Sequence, residues 1–411
     1  MTTESLAPRA PHPGPLAGLR VLELAQIMAG PTCGMLLADM GADVVKVEKL
    51  PGGDDARGYR EPRVNGVSAP FLVLNRNKRG IAIDLKRPAG RDVLLRMVRD
   101  VDVLTENYRL GTMEKLGLGY DALATVNPGL IYCAISGYGR TGPWADKGGF
   151  DLIAQGFAGL MSITGEPGRP PAKSGSPVAD INAGILGALG IVAAYAHRLR
   201  TGVGQVVDTS LMEAALQQTY WQAASWFATG RSPGPTGSAH LLTAPYQAFR
   251  TADGWVNIGG ANQANWERIA EVLGHAEWRA DPRFATNADR MRNLDALVAA
   301  MNATLATRTT AEWIARFDDA GVPAGAVHSI GEALEHPQTL ARGMVLSVDD
   351  PQAGPTRALG CPVHFSRTPT RIDRPAPALG EHTRTVLHEF GYDDAAIDAL
   401  VHDGVVATPD G

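Results

Sequence analysis

A chain of 411 residues with 45% hydrophobic and 20% charged side chains has material for a large buried core and reads as two or three globular domains. Its formal net charge of −5 excludes a general nucleic-acid binder, whose affinity rests on a basic surface. The three cysteines, at 33, 133 and 361, make no CxxC pair and no zinc spacing, which points to free thiols in a reducing cytoplasm and to no metal.

Residues 1–15 are Pro-rich, lack an apolar signal core and read as a disordered lead-in. Residues 20–24, RVLEL, predict a short buried strand, and Ala29-Gly-Pro31 a turn into a helix through Met35, Leu36, Leu37 and Met40 that closes at Gly41. With a strand at 43–48 this makes a βαβ unit, hence a parallel sheet covered by helices. The pattern recurs as a strand at 81–85, a helix through 93–98, a strand at 101–105, a helix near 120–124 and a strand at 130–136. A Gly- and Pro-rich loop at 137–143 follows. Residues 183–196 are a nearly continuous apolar run, too short for the roughly 20 residues a bilayer requires, and predict a buried helix. A strand near 206–210 then leads into one long helix over 211–228. The string GRSPGPTGS at 230–238 is a flexible connector. After it come strands at 246–249, 255–259 and 324–328 and helices near 263–273, 292–306 and 310–319. The tail predicts a strand at 363–365 and a helix at 381–390. The expected domains are a first segment over 16–229, a linker and small domain over 230–344, and a segment over 345–411 that returns to the large domain.

Asp180 is the one carboxylate at the mouth of the apolar helix, in SPVADINAG. Helix N-termini favour negative charge, so it serves as an N-cap, as a nucleophile, or as both. Asn75-Arg-Asn-Lys-Arg79 gathers three cations in four residues, suited to phosphate groups, with Lys49 and Lys115 able to join it; a surface basic cluster explains the same letters. Glu106-Asn-Tyr-Arg109 follows a strand, where parallel sheets place ligands, or simply closes it. Gly259-Gly-Ala-Asn262 offers backbone amides to an oxyanion or makes a tight turn. Glu48 ends a strand where a ribose-binding acid would sit, but the turn AQIMAGPTC lacks the glycine fingerprint of nicotinamide enzymes, so no NAD is expected. His240 reads as an interface residue or a cleft lining.

The strings LAGLRVLELAQIMAGP, LADMGADVVKVE, NRNKRGIAIDLK, ENYRLGTMEKLGL, NPGLIYCAISGYGRTGP, FDLIAQGFAGLMSITG, SPVADINAG and TGVGQVVDTSL occur in one order over about 16–220. Together they resemble the class III coenzyme A transferases, the superfamily of formyl-CoA transferase, carnitine CoA-transferase and α-methylacyl-CoA racemase. The resemblance implies an α/β fold with a Rossmann-like large domain and a smaller α+β domain, in an interlocked homodimer. It implies an acyl-CoA and a free carboxylic acid as substrates, and neither nucleic acid nor membrane as partner.

It also implies roles. Asp180 is the catalytic aspartate. Ile27, Met28 and Ala29 meet coenzyme A at a strand end. Lys49, Lys78, Asn107 and Lys115 hold its nucleotide and phosphates, with Leu74, Asn75, Arg79, Tyr108 and Arg109 beside them. Tyr138 lines the pantetheine or acyl site, and Gly259 and Gly260 belong to a mobile loop over the active site. Ala261 interrupts that loop's glycines, and Met28 stands where formyl-CoA transferase has Gln, against formyl or oxalyl specificity. The racemase branch carries a proton-transferring His before the Asp of its G-x-D motif; Gly149-Phe150-Asp151 has Phe there, and Phe moves no proton. The expected reaction is CoA transfer through an aspartyl anhydride and thioester, with racemisation and non-catalytic acyl-CoA binding as alternatives. Ser238-Ala-His240 with Ala244–Phe249 resembles members that handle succinate and other short dicarboxylates.

Overall fold

The computed structural model describes residues 14–409, so the expected lead-in lies almost wholly outside the described residues. The chain divides into two compact units. One runs to Leu160, resumes over Lys173–Ala224 and returns from Gln338; the other takes Met161–Ala172 and Ser225–Pro337.

In the large unit the strands are β1 (Arg20–Leu24), β2 (Asp43–Glu48), a small hairpin of β3 (Arg63–Val64) and β4 (Val67–Ser68), then β5 (Arg79–Ile83), β6 (Val103–Glu106), β7 (Ile131–Ser136) and β8 (Val206–Ser210). The main sheet runs in the order Val406–Ala407, β5, β2, β1, β6, β7, β8, and every neighbour is parallel except the edge strand Val406–Ala407. Strands of a parallel sheet are covered on both faces and therefore read as unbroken apolar runs. Two apolar layers flank the sheet. One gathers Leu22, Val45, Ile81, Leu94 and Leu387; the other gathers Val21, Val44, Ile131, Ile135 and Ile191.

The helices up to the middle of the chain are α1 (Ala29–Asp39), which connects β1 to β2, then α2 (Ala69–Asn75), α3 (Pro88–Val98), α4 (Thr112–Lys115), α5 (Tyr120–Val126), α6 (Asp151–Phe157), α7 (Leu160–Ile163) and α8 (Val178–Thr201). Helix α8 has 24 residues, longer than the expected run, and by length and composition alone it is sufficient to cross a membrane. Its small-residue face, including Ala179, Ala183, Gly184 and Gly187, is buried in this unit. There a Cβ added to Gly184 would lie 2.5 Å from the Ala29 carbonyl oxygen, so α1 and α8 approach as closely as glycine allows.

The expected helix over 211–228 is two helices, α9 (Leu211–Gln217) and α10 (Tyr220–Thr229). Thr219 stands at the break, its hydroxyl donating to the Leu216 carbonyl at 2.8 Å. No strand forms at 363–365. The returning segment instead carries a hairpin of Val345–Asp350 with Gly354–Leu359, whose alternation of half-buried and exposed positions left a faint sequence signal. In the small unit, Trp255–Gly259 pairs antiparallel with Tyr246–Arg250 on one side and Ala324–Ala326 on the other. Helices including Gln263–Val272, Leu294–Leu305 and Thr310–Asp319 surround a core of Phe249, Trp266, Met301, Trp313 and Phe317.

Candidate active site

Strand order reverses between β1 and β6, because the chain builds outward from β1 through β2 and β5, then crosses to β6, β7 and β8. Such a switch point leaves a crevice at the carboxyl ends of the strands. A cavity of about 360 Å³ opens there, lined by Gln26–Ala29 after β1, Asn107–Leu110 after β6, Ser136 and Gly137 at the end of β7, Lys147–Phe150, Asp180 and Leu211. Across the crevice the Gln26 N–H donates to Asn107 Oδ1 at 3.0 Å, and Asn107 Nδ2 donates to the Gln26 carbonyl at 2.8 Å.

Asp180 sits in the first turn of α8 but does not cap it. The N-cap position is Pro177, with no side-chain cap. The expected capping role therefore falls away, and the Asp180 carboxyl faces the cavity. Burial, reinforced by the neighbouring Asp151 carboxylate, pushes it up to about 7. Asp151 is itself well held. One of its oxygens accepts the Ala179 N–H at 2.9 Å and the other accepts Gln155 Nε2 at 2.6 Å, while Gln155, fully buried, accepts the Ser174 N–H. The G-x-D motif holds more than Phe150. Its Asp, which pins the turn that presents Asp180, is the more informative letter.

The loop that carries this motif is closed at its base by two glycines. A Cβ on Gly137 would lie 2.7 Å from the Gly149 nitrogen, so only glycine permits the crossing. Above it, Tyr138 packs edge-on against Trp144 and Phe157 with centroids 5.2 and 5.3 Å away, and Lys147 Nζ stands 3.5 Å over the Trp144 ring. Tyr138 is thus a buried support of the cavity wall and not part of its lining. Phe150 is 74% exposed.

Of the expected cofactor contacts, Ile27, Met28, Ala29, Asn107, Tyr108 and Arg109 line the cavity. The basic cluster does not. Lys78 is fully buried, its ammonium donating to Glu23, Asn75 Oδ1 and the Pro31 carbonyl. Asn75 and Leu74 are buried with it, Arg76 pairs with Asp39, and Arg79 bridges Asp43 and Glu389. Each cation in this run is therefore spent on a carboxylate that folding brings to it. Glu48 likewise pairs with Arg57 and accepts the Asp54 N–H, leaving nothing for a ribose. Lys49 and Lys115 are exposed, Lys49 with its ammonium 2.5 Å from Asp55.

The glycine pair in the small unit has also been used. The Gly259 N–H donates to the Pro323 carbonyl at 2.9 Å and the Gly260 N–H to the Pro245 carbonyl at 2.7 Å. Neither amide is free for an oxyanion in this conformation. His240 packs its ring against Tyr246 at 5.3 Å. Among the described residues, no group of three or more His, Cys, Asp or Glu side chains is arranged to hold a metal ion.

Residues 16–383 match the profile of CoA-transferase family III. The chain belongs to this family. It is an acyl-CoA:carboxylate CoA-transferase. Similar proteins include the succinate–glutarate CoA-transferase of Agrobacterium fabrum, 39% identical over 92% of this chain and 96% of that one. The succinyl-CoA:glutarate CoA-transferase of Mus musculus is 36% identical over 95% and 90%. A crystal structure of a CAIB/BAIF family protein from Brucella suis superposes with a TM-score of 0.82 at 38% identity, over 92% of this chain and all of that one.

Asp180 is the carboxylate that faces the cavity, and Arg109 and Lys147 bring positive charge to its rim. Helix α1 begins at the cavity without a side-chain cap, so its first amides and the positive end of its dipole lie beside Met28 and Ala29.

Proposed function

We propose that the enzyme transfers CoA from succinyl-CoA or a similar short acyl-CoA to a free dicarboxylic acid, with Asp180 as the nucleophile. The carboxylate of Asp180 attacks the thioester carbonyl, CoA leaves as thiolate, and an acyl–aspartyl anhydride forms. The thiolate then adds to the aspartyl carbonyl, releasing the donor acid and leaving an aspartyl-CoA thioester. The acceptor carboxylate repeats the sequence in reverse and departs as the new CoA ester with Asp180 regenerated. A carboxylate nucleophile divides one difficult exchange into easier steps.

The observation that carries this reading is the single acid of α8 facing a cavity at the sheet's switch point. Each addition develops an oxyanion, and with the Gly259 and Gly260 amides engaged elsewhere, the uncapped first turn of α1 is the better-suited donor. Arg109 and Lys147 suit anionic substrates. The names of the relatives from Agrobacterium fabrum and Mus musculus support succinyl and glutaryl groups. Phe150 supports transfer over racemisation, since a benzyl group at that place exchanges no proton.

The reading includes a cytoplasmic enzyme, for which the three free, buried cysteines are the support. It also includes an interlocked homodimer, supported by the apolar stripe of Ile185, Leu189, Val192 and Leu199 left exposed on α8. Incubation with succinyl-CoA and a panel of free acids, followed by mass spectrometry of the CoA esters, tests the substrate class. New esters of short dicarboxylates are expected. Transfer only to monocarboxylates, or succinyl-CoA left intact with every acid, would defeat it.

A further inference from the structure

Four charged side chains lie fully or almost fully buried beneath the floor of the cavity, and CoA transfer as written above assigns none of them a task. Glu23 Oε1 on β1 accepts from Lys46 on β2 at 3.0 Å and from Lys78 at 3.0 Å. Lys46 also reaches Asp54 at 2.8 Å. A buried ion network of two cations and two anions is balanced in charge, but its desolvation makes it a poor source of stability by itself. What it touches is more telling. Lys46 Nζ donates to the Ala25 carbonyl at 2.8 Å, and Lys78 Nζ to the Pro31 carbonyl at 2.9 Å. These are the two ends of the segment that forms the cavity floor and opens α1. Between them, Asp54 Oδ1 accepts the Ile27 N–H at 3.0 Å. Ile27 has a φ of 69°, in the left-handed region that a β-branched residue avoids. It holds that conformation within a segment grasped at both ends and in the middle.

We propose that Glu23, Lys46, Asp54 and Lys78 are positioning residues for CoA transfer. They hold residues 25–31 with Ile27 left-handed, so that Met28, Ala29 and the first turn of α1 face the reacting thioester. The proposal rests on the transfer reaction; Asp54 Oδ1 also accepts the Ala56 N–H at 2.9 Å, and Asp54 acts on the site through Ile27. Strain of this kind persists where surrounding structure over-determines it, and it gathers at functional sites.

The test is a cycle of Asp54→Ala and Ile27→Gly, with Ile27→Pro as a separate probe. Each variant is checked for native circular dichroism, and kcat and KM are measured with the best donor and acceptor found for the wild type. Asp54→Ala should lower kcat tenfold or more, with a smaller change in KM. Glycine adopts a positive φ freely, so Ile27→Gly should restore a substantial part of that loss in the double variant. Ile27→Pro fixes φ near −65° and removes the N–H that Asp54 accepts while leaving all four charged side chains in place, so it should lose at least tenfold in kcat while remaining folded. It decides the matter by itself where Asp54→Ala does not fold. A wild-type kcat in Ile27→Pro, or an Asp54→Ala loss that Ile27→Gly leaves unchanged, overturns the proposal. Absence of transfer in the wild type would instead overturn the reaction on which it rests.

Discussion

Asp180 keeps its proton to about pH 7 because its surroundings solvate the charged form poorly and Asp151 adds like charge. As the proposed nucleophile Asp180 must be ionised, which sets the sign of the pH dependence. With the pKa raised from its ordinary acidic value, the active carboxylate is scarce at pH 5 to 6 and abundant above 7. The expected kcat/KM therefore climbs through a midpoint near 7, as the free enzyme's ionisation dictates. Asp151→Asn keeps an oxygen for the Ala179 N–H but removes the charge, so the midpoint should shift downward. A pH–rate series on both proteins checks this; an upward or absent shift in the variant would remove Asp151 from the electrostatics. The Asp180 carboxylate was legible in the sequence because one acid in an apolar helix is conspicuous. Its neighbour was not, since Asp151 matters through a contact with Ala179, 28 residues away.

At the scale of elements, apolar periodicity carried the βαβ order well, because every central strand is buried on both faces. Charge pattern served less well at 75–79. The letters Asn-Arg-Asn-Lys-Arg read as a phosphate cluster, yet Glu23, Asp39, Asp43 and Glu389 take its three cations. The partners come from β1, α1, β2 and the returning tail, and no local pattern encodes that convergence. The glycine pair at 259–260 failed for a similar reason, since the carbonyls that occupy its amides belong to Pro245 and Pro323. Helix α8 carries an expectation of its own. Ile185, Leu189 and Val192 recur at helical spacing on a face that this chain leaves exposed. If a second copy covers that face, Leu189→Glu should shift the mass seen by light scattering from two chains to one, with circular dichroism unchanged. A wild-type protein of single-chain mass, or a variant that remains a dimer, would contradict that use of the stripe.

For the whole molecule, family membership fixes the reaction class, and the large unit supplies a cavity at the place where a doubly wound sheet leaves one. The order of eight strings made the family legible before any coordinate. The positions expected to hold the cofactor were less so, because Lys78 and Arg79 are paired with carboxylates brought from other elements. The central claim is that Asp180 carries the acyl group and then CoA. Its most direct measurement is mass spectrometry of the Asp180 peptide after incubation with succinyl-CoA, with and without hydroxylamine. The account predicts an adduct on Asp180 that hydroxylamine converts to the hydroxamate, and no adduct or transfer in a folded Asp180→Asn variant. Steady transfer at the wild-type rate by Asp180→Asn, with no modification of the wild-type peptide, would contradict it.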